Sequence, residues 1–284
     1  MARAVAGRGH VVAPLGPEDL ARCCSEIAAV NPFALGIAGG DGTVMQVLSA
    51  LRRGYGPARM PPVFVLPFGT VNTTARRWGR LADPWQMLER VLSGVGRWRP
   101  RRTLRIDLAG TPYVAATVGL GLVSHFFDEY EQSGRRGTVR AAEIFTKVFL
   151  GSMLGHAYAR RILAPVSGRL AIEGRASSLR AFSLLVCSVF EDVGLGLRPT
   201  YRASEIPGRI HLVATDLDVR RLGPQAIRVW LGRPLVADQL VDDLVNDFSL
   251  EFDRKTSIVL DGERLVAERI AVRAGDELLV WAPQ

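Results

Sequence analysis

Short apolar runs alternate with more polar segments over the N-terminal part of the chain. The runs at residues 33–37 and 62–67 predict buried strands, and residues 10–13 predict a further short strand. A helix is predicted from Pro17, which stands near the first helical position with two acids behind it. The predicted helices cover residues 17–29, 44–52, 71–78 and 84–92, the last with Asp83 as its cap. Strand and helix in turn predict a parallel sheet in an α/β layer.

The pattern changes near residue 100, where strand-like segments become frequent. Some of these segments are expected to pair across turns at Ala109-Gly110 and at residues 274–276. Predicted strands cover residues 101–108, 113–118, 169–173, 180–189, 210–214, 248–252, 257–260, 264–272 and 277–281, with helices at 139–151 and 224–231. This half therefore predicts an antiparallel sandwich.

A cluster of Gly94, Gly96 and Pro100 marks the expected boundary between the two halves. We therefore expect an α/β domain over residues 1–98 and a β-rich domain over residues 99–284. The last strand of the chain is a candidate to return to the first domain.

The composition and net charge of the chain limit the kinds of molecule it is expected to bind. The 284 residues are 48% hydrophobic and carry a net charge of +8, almost all of it from arginine. Nucleic acid, an anionic membrane and a polyanionic substrate such as a nucleotide are the three candidates. Cys23, Cys24 and Cys187 show no zinc spacing and indicate reduced thiols in a cytosol-like compartment. The longest apolar stretch, residues 144–166, is interrupted by charges, so a soluble or peripheral protein is expected.

A glycine-rich turn, GGDGT from Gly39 to Thr43, separates the strand at 33–37 from the helix predicted at Val44. Glycines at such a turn let backbone N–H groups approach an anion, and the helix N-terminus adds positive partial charge. A carboxylate beside a bound phosphate is repelled unless a cation or a transferable proton lies between them. Because Asp41 stands inside the run, the turn predicts phosphate chemistry that involves a metal ion.

Two further runs carry polar chemistry. PFGTVN at residues 67–72 follows a strand, and at the carboxyl edge of the sheet its Thr70 and Asn72 can contact phosphate or ribose. A helix-capping turn with Asn72 or Thr70 as the cap is an equally good interpretation. DGE at residues 261–263 places two carboxylates around a glycine, which by itself is most often a hairpin turn.

In this order, the three runs resemble the diacylglycerol kinase catalytic family, whose relatives include bacterial lipid kinases, sphingosine kinases and ceramide kinases. The resemblance spans residues 10–283, and residues 118–123, 194–199 and 207–213 look like later strands of the family. NAD kinases carry a run similar to GGDGT, but the second and third runs favour the lipid branch. The fold implied is an α/β nucleotide-binding domain, as in NAD and diacylglycerol kinases, then a β-rich sandwich, with the ligand cleft between them.

The resemblance implies ATP-dependent transfer of a phosphoryl group to a hydroxyl of diacylglycerol or a related lipid, with Mg²⁺ required. Asp41 is expected near the magnesium ion of the nucleotide, directly or through water. The residues expected to bind the nucleotide are Gly39, Gly40, Asp41, Gly42, Thr43, Val44, Gly69 and Thr70, with Asn72 supporting the loop.

Glu263 stands where the family places the acceptor of the hydroxyl proton. A carboxylate within hydrogen-bond reach of the attacking hydroxyl can take its proton, which fits this role. Asp261 beside it is the second candidate, and Asp41 completes the expected catalytic acids. The geometry of the turn decides which of the two late carboxylates points towards the substrate.

The sequence departs from the family in two places. The first strand of the family, with its Asn-Pro-containing loop, is not found before residue 39, so an N-terminally truncated or divergent member is expected. At residues 205–211, Pro207 and His211 stand where many bacterial members have acids that bind a structural magnesium ion. Magnesium prefers oxygen ligands, so we expect this second metal site to be absent.

Two alternatives to a lipid kinase stay open: a NAD-kinase-like kinase of a soluble acceptor, and a catalytically weak homologue that binds lipid or nucleotide. The arginine-rich segment 97–105 is expected to be a solvated connector, with an anionic membrane as the alternative partner and no nucleic acid. Residues 141–158 are expected to pack in the core or to form a wall or lip of the lipid pocket. A cytoplasmic protein, peripheral to the membrane, is expected, and the oligomeric state is open, with a homodimer among the alternatives.

Overall fold

The chain divides into two compact units, one formed by residues 1–101 with residues 277–284 and the other by residues 102–276. The computed structural model describes residues 5, 7–56, 58–69, 72–79, 83–132 and 137–283, without the side chain of Thr138.

Helices and strands alternate in the N-terminal part of the first unit. In chain order, the elements are α1 (Pro17–Val30), β1 (Leu35–Gly39), α2 (Asp41–Tyr55), β2 (Val63–Pro67), α3 (Thr73–Trp78), α4 (Pro84–Leu92) and β3 (Arg97–Arg101). The helices and strands predicted here are confirmed with small shifts of their ends, and Asp83 caps α4 by accepting hydrogen bonds from the N–H groups of Trp85 and Gln86. The strand predicted at residues 10–13 is wrong, because these residues have no regular structure.

Strands dominate the second unit, and three longer helical segments interrupt them. It begins with β4 (Leu104–Leu108), β5 (Thr111–Ala115), β6 (Thr117–Gly121), α5 (Leu122–Gln132), α6 (Thr138–Met153) and α7 (Ala157–Ile162). It continues with β7 (Val166–Ile172), β8 (Arg175–Ala176), β9 (Ala181–Phe182), β10 (Leu184–Ser188), β11 (Ile210–Thr215), α8 (Val219–Leu222), a 3-10 turn (Gly223–Gln225), α9 (Ala226–Trp230), β12 (Leu240–Val245), β13 (Asp247–Leu260) and β14 (Glu263–Ala274). The last strand, β15 (Leu278–Ala282), belongs to the first unit.

The sheet of the first unit has the order β1-β2-β15-β3, with β1 and β15 parallel to β2 and β3 antiparallel to β15. Gly39 at the end of β1 pairs with Pro67 at the end of β2. Because parallel strands end at the same edge of a sheet, the turns after β1 and β2 lie side by side. The core under β2 includes Leu66, Met87 and Trp281, each no more than 3% exposed.

The second unit is built on a large antiparallel sheet, in which the described strands follow the order β12-β11-β10-β6-β13-β14-β4-β5. β7 also pairs with the first half of β13, while β6 pairs with its end. The strands predicted at residues 248–252 and 257–260 are a single strand, β13, whose register against β14 shifts between Glu251 and Thr256. The turn predicted to pair strands at residues 274–276 is wrong, because β14 and β15 belong to different sheets.

An apolar cluster of the second unit lies between its helices and the sheet. Ile144 and Val148 of α6 pack with Leu184, Val186 and Val213 of strands β10 and β11. The core interpretation of this part of α6 is therefore confirmed. No helix in the described part of the chain is long and apolar enough to span a lipid bilayer.

Candidate functional site

The turns after β1 and β2 touch each other through their backbones. A Cβ atom built on Gly69 would overlap the Cα of Gly40 and would lie 2.7 Å from the side-chain oxygen of Asn72. A Cβ on Gly40 would lie 3.1 Å from the Cα of Gly69. Glycine is thus required at this pair because no side chain fits between the two turns.

Asn72 closes the second turn on itself. The backbone N–H of Gly69 donates to Asn72 Oδ1 at 2.9 Å, and Asn72 Nδ2 donates to the carbonyl oxygen of Gly69 at 2.6 Å. Asn72 has a left-handed backbone and occupies the N-cap position of α3, but its side chain makes no cap hydrogen bond to that helix. It therefore supports the loop, while Thr70, the other polar residue singled out in this turn, lies outside the described residues.

Asp41 of the first turn caps the helix that follows the second turn. Its Oδ2 accepts a hydrogen bond from the N–H of Thr73 at 2.9 Å, and its Oδ1 accepts one from the N–H of Thr74 at 2.7 Å. These are the first two residues of α3, so the carboxylate also lies at the positive end of that helix. The structure thus gives Asp41 a favourable partner for its charge within the protein.

The first turn ends at the N-terminus of α2, a 15-residue helix with Gly40 at its N-cap and no side-chain cap. The first bond of the helix runs from the N–H of Val44 to the carbonyl oxygen of Gly40 at 3.0 Å. The backbone N–H groups of residues 40–43 have no hydrogen-bond acceptor among the described residues. This arrangement is suited to binding an anion. The side chain of Val44 is only 2% exposed and points into the core, so the N–H groups before it are the available donors.

The run at residues 261–263 forms the hairpin turn between β13 and β14. Asp261 and Gly262 have φ angles of 47° and 90°, as a two-residue hairpin turn of this hand requires. The Asp261 carboxylate accepts hydrogen bonds from the backbone N–H groups of Ala116 at 2.9 Å and Thr117 at 2.8 Å. These bonds tie the turn to the start of β6.

Glu263 follows this turn as the first residue of β14, directly paired with Leu260. Its carboxylate is partly exposed and has no hydrogen-bond or ion-pair partner among the described residues. The two acids around Gly262 therefore differ in kind: Asp261 holds the backbone, and Glu263 keeps its oxygens available.

Helix α5, absent from the sequence-based prediction, lies beside this turn. Asp128 of α5 forms an ion pair with Arg264, the residue after Glu263, and a Cβ on Gly262 would lie 3.6 Å from the ring of Phe127. The sequence does carry a signal for this contact: acids such as Asp128 follow the two phenylalanines of α5, and the basic Arg264 follows the DGE run.

The loop at residues 203–209 is held by an arginine. The Arg102 guanidinium donates to the carbonyl oxygens of Ala203 at 2.6 Å, Arg209 at 3.1 Å and Ile206 at 3.3 Å. A cation of the protein thus already contacts three carbonyl groups of the segment for which the sequence predicts no metal site. Among the described residues, no group of three His, Cys, Asp or Glu side chains is suited to hold a metal ion. The absence of this metal site stays a prediction.

Asp242 of β12 organises the neighbouring side chains. It accepts hydrogen bonds from the ring Nε2 of His211 at 2.8 Å and from the hydroxyl of Tyr201 at 3.0 Å. Burial acts to raise the pKa of the Asp242 carboxyl, but these two hydrogen bonds and the charges nearby outweigh it and lower the pKa. Burial is also the main cause that raises the pKa of Tyr201 to about 12, with the hydrogen bond to Asp242 acting in the same direction.

Replacing Gly69 with alanine tests the contact between the two turns. The added methyl group has no room beside Gly40, so the free energy of unfolding should fall by ~1–3 kcal/mol, as for other overpacked sites. Denaturant unfolding measures this change. Gly16→Ala is the control, because a Cβ there meets open space and the backbone is extended. Equal stability of the two variants would contradict the close contact.

Replacing Arg102 with methionine tests the loop at residues 203–209. Three carbonyl groups lose their hydrogen bonds to the guanidinium, and amide hydrogen exchange in this loop should become faster, with a stability loss of ~1–3 kcal/mol. Arg105→Met, the same change on the next strand, is the control. A chelator such as EDTA should leave exchange in the wild-type loop unchanged. Magnesium found tightly bound there by metal analysis would contradict the prediction.

Comparison with known proteins gives one family. Residues 5–98 match the family model of the diacylglycerol kinase catalytic domain. These residues include both glycine turns, the helices that follow them and the aspartate that links them. No curated protein sequence matches the chain significantly.

Solved structures extend the likeness over both units. A diacylglycerol kinase from Bacillus anthracis str. Sterne is 14% identical, with a TM-score of 0.60, covering 95% of this chain and 84% of the other. A second structure from this strain, described as "a putative diacylglycerol kinase", is 17% identical, with a TM-score of 0.62 and coverage of 95% and 85%. At these identities the likeness shows the fold alone. Residues 5–98 thus match the diacylglycerol kinase catalytic domain, and the solved structures share the fold of the chain, an α/β domain followed by a large antiparallel sheet.

Proposed function

We propose that this protein is a lipid kinase that transfers the γ-phosphoryl group of ATP to a hydroxyl of diacylglycerol or a related lipid. The observation that carries the proposal is the match of residues 5–98, with both glycine turns, to the diacylglycerol kinase catalytic domain. In the proposal the protein works in the cytoplasm at the membrane surface.

The first turn binds the nucleotide phosphates in this proposal. The backbone N–H groups of residues 40–43 supply donors that have no acceptor among the described residues, and the N-terminus of α2 favours negative charge. The contact between Gly40 and Gly69 fixes these donors before the ligand arrives. Preorganised donors are effective because little reorganisation is needed at the moment of reaction.

The residues of the first turn fit a magnesium ion brought in with the nucleotide. Each oxygen of Asp41 accepts one backbone hydrogen bond, and a carboxylate oxygen can accept more than one, so the side chain retains capacity to contact the ion through water. Magnesium, when bound, neutralises charge on the phosphate oxygens. The role of Asp41 itself is to keep the two turns together and to hold negative charge at a fixed place.

Glu263 is the general base in the proposal. A base must have an oxygen free to take the hydroxyl proton, and the Glu263 carboxylate has no partner among the described residues. Asp261 is a positioning residue, since its hydrogen bonds to Ala116 and Thr117 fix the turn from which Glu263 projects. Loss of a proton by the lipid hydroxyl is then coupled to its attack on the γ-phosphorus.

Replacing Glu263 with glutamine should lower kcat for lipid phosphorylation by ~10²–10⁴-fold, while ATP affinity and thermal stability stay unchanged. The measurement uses radiolabelled ATP and separation of lipid products. Glu268→Gln is the matched control, because Glu268 lies on the same strand and its one ion pair within the described residues, with Lys255, is long at 4.0 Å.

Asp261→Asn should differ from Glu263→Gln by lowering the melting temperature, since it weakens the bonds that hold the turn. Wild-type kcat in Glu263→Gln would exclude Glu263 as the base. ATP binding without transfer to any lipid would contradict the lipid kinase, and transfer to a soluble acceptor such as NAD would replace it with a NAD-kinase-like activity.

A further inference from the structure

Two helices of the second unit each expose an apolar triad at the i, i+3, i+4 spacing of one helix face. Leu150, Met153 and Leu154 at the end of α6 are 54%, 58% and 72% exposed. Ile227, Trp230 and Leu231 at α9 are 55%, 62% and 50% exposed. We call these two triads the α6–α9 surface. Six large apolar side chains at this exposure exceed the scattered single residues of an ordinary surface.

Helices α6 and α9 are linked through the turn before α9 and through a shared apolar cluster. A Cβ on Gly223, in the turn before α9, would overlap the Ser152 hydroxyl of α6. Val148 of α6 and Val229 of α9 pack in the same apolar cluster. The inner faces of both helices are therefore used in the core, and the exposed triads belong to their outer faces.

Basic residues predominate along the segments that carry the α6–α9 surface. Residues 144–172 and 219–237 contain eight basic residues and no aspartate or glutamate. Four of these cations pair with acids outside the two ranges: Lys147 with Glu143, Arg161 with Glu129, Arg169 with Glu251 and Arg221 with Asp238. The basic character that remains is carried by arginines.

Two of those arginines form a close pair of cations. The guanidinium groups of Arg160 and Arg220 both approach the position of a Cβ on Gly155, at 3.6 Å and 3.0 Å. Both side chains are exposed, and neither has a carboxylate partner among the described residues. Two like charges held together at a surface favour a multivalent anionic partner.

We propose that the α6–α9 surface is the face by which this protein binds an anionic lipid bilayer. The apolar triads enter the boundary between headgroups and acyl chains, and Arg160 and Arg220 contact lipid phosphates. A tryptophan beside basic residues suits this boundary, where one side of the ring is apolar and the other is wet. The inference deepens the proposed function, because a lipid acceptor must be reached in a bilayer.

Vesicle binding tests the surface without any kinase reaction. The wild-type protein should sediment with vesicles of equal parts phosphatidylglycerol and phosphatidylcholine, more weakly at high salt, and little with phosphatidylcholine alone. Arg160→Gln with Arg220→Gln should weaken binding to the anionic vesicles by about 30-fold. The matched control is Arg175→Gln with Arg180→Gln, two exposed arginines outside residues 144–172 and 219–237, with the same change of net charge.

A second pair of variants tests the apolar side chains of the α6–α9 surface. Trp230→Ser should weaken binding to anionic vesicles, while Val266→Ser, at 62% exposure on β14, should not. Unchanged binding of Trp230→Ser or of the Arg160 and Arg220 double variant would overturn the proposal, as would equal losses in the control variants. A wild-type dimer in light scattering that Trp230→Ser converts to a monomer, with vesicle binding intact, would assign the surface to a second copy of the chain instead.

Kinase assays separate this inference from the proposed function. With a short-chain diacylglycerol dissolved below its micelle concentration, the Arg160 and Arg220 double variant should keep wild-type activity, and with vesicle lipid it should lose activity about 30-fold. Wild-type protein that binds vesicles but phosphorylates no lipid would contradict the kinase and leave the surface standing. Wild-type protein that phosphorylates the dissolved lipid but does not bind anionic vesicles would overturn the surface alone.

Discussion

The hydrogen bonds from Thr73 and Thr74 to the Asp41 carboxylate are the interaction on which the N-terminal site depends. They join the start of α2 to the start of α3. The backbones of the two turns are also in close contact at Gly40 and Gly69. A carboxylate beside the N–H groups at the start of α2 would oppose the binding of an anion there unless its charge is offset. Here two backbone N–H groups and the positive end of α3 offset it.

In the second unit, too, an aspartate in a turn accepts backbone hydrogen bonds from another segment. Asp261, in a glycine-containing turn, accepts backbone hydrogen bonds from the start of β6, and its neighbour Glu263 has no partner in the part of the chain that the structure describes. In both turns an aspartate supplies rigidity, and the groups available for chemistry stand beside it. The aspartate of each motif therefore has a structural role. The groups proposed to act on the substrates are the backbone N–H donors, which bind phosphate, and Glu263, which takes the proton.

The sequence alone predicted the elements whose pattern is local. Strand, glycine turn and helix follow each other within a few residues, so the N-terminal layer and the hairpin at Asp261 could be predicted. The partners of Asp41 lie 32 and 33 residues away and the carbonyl groups bound by Arg102 lie more than 100 residues away, which no local pattern reveals. The sequence does not predict β12, because two acids interrupt its run of apolar residues. One of these acids, Asp242, is paired with the buried His211.

Strand β15 lies between β2 and β3 in the first sheet, although it comes from the C-terminal end of the chain. In the described part of the chain, β3 is attached to that sheet only through β15. During synthesis, residues 102–276 leave the ribosome before the strand that completes the N-terminal sheet. The N-terminal sheet is therefore completed only after the strands of the second unit have been synthesised.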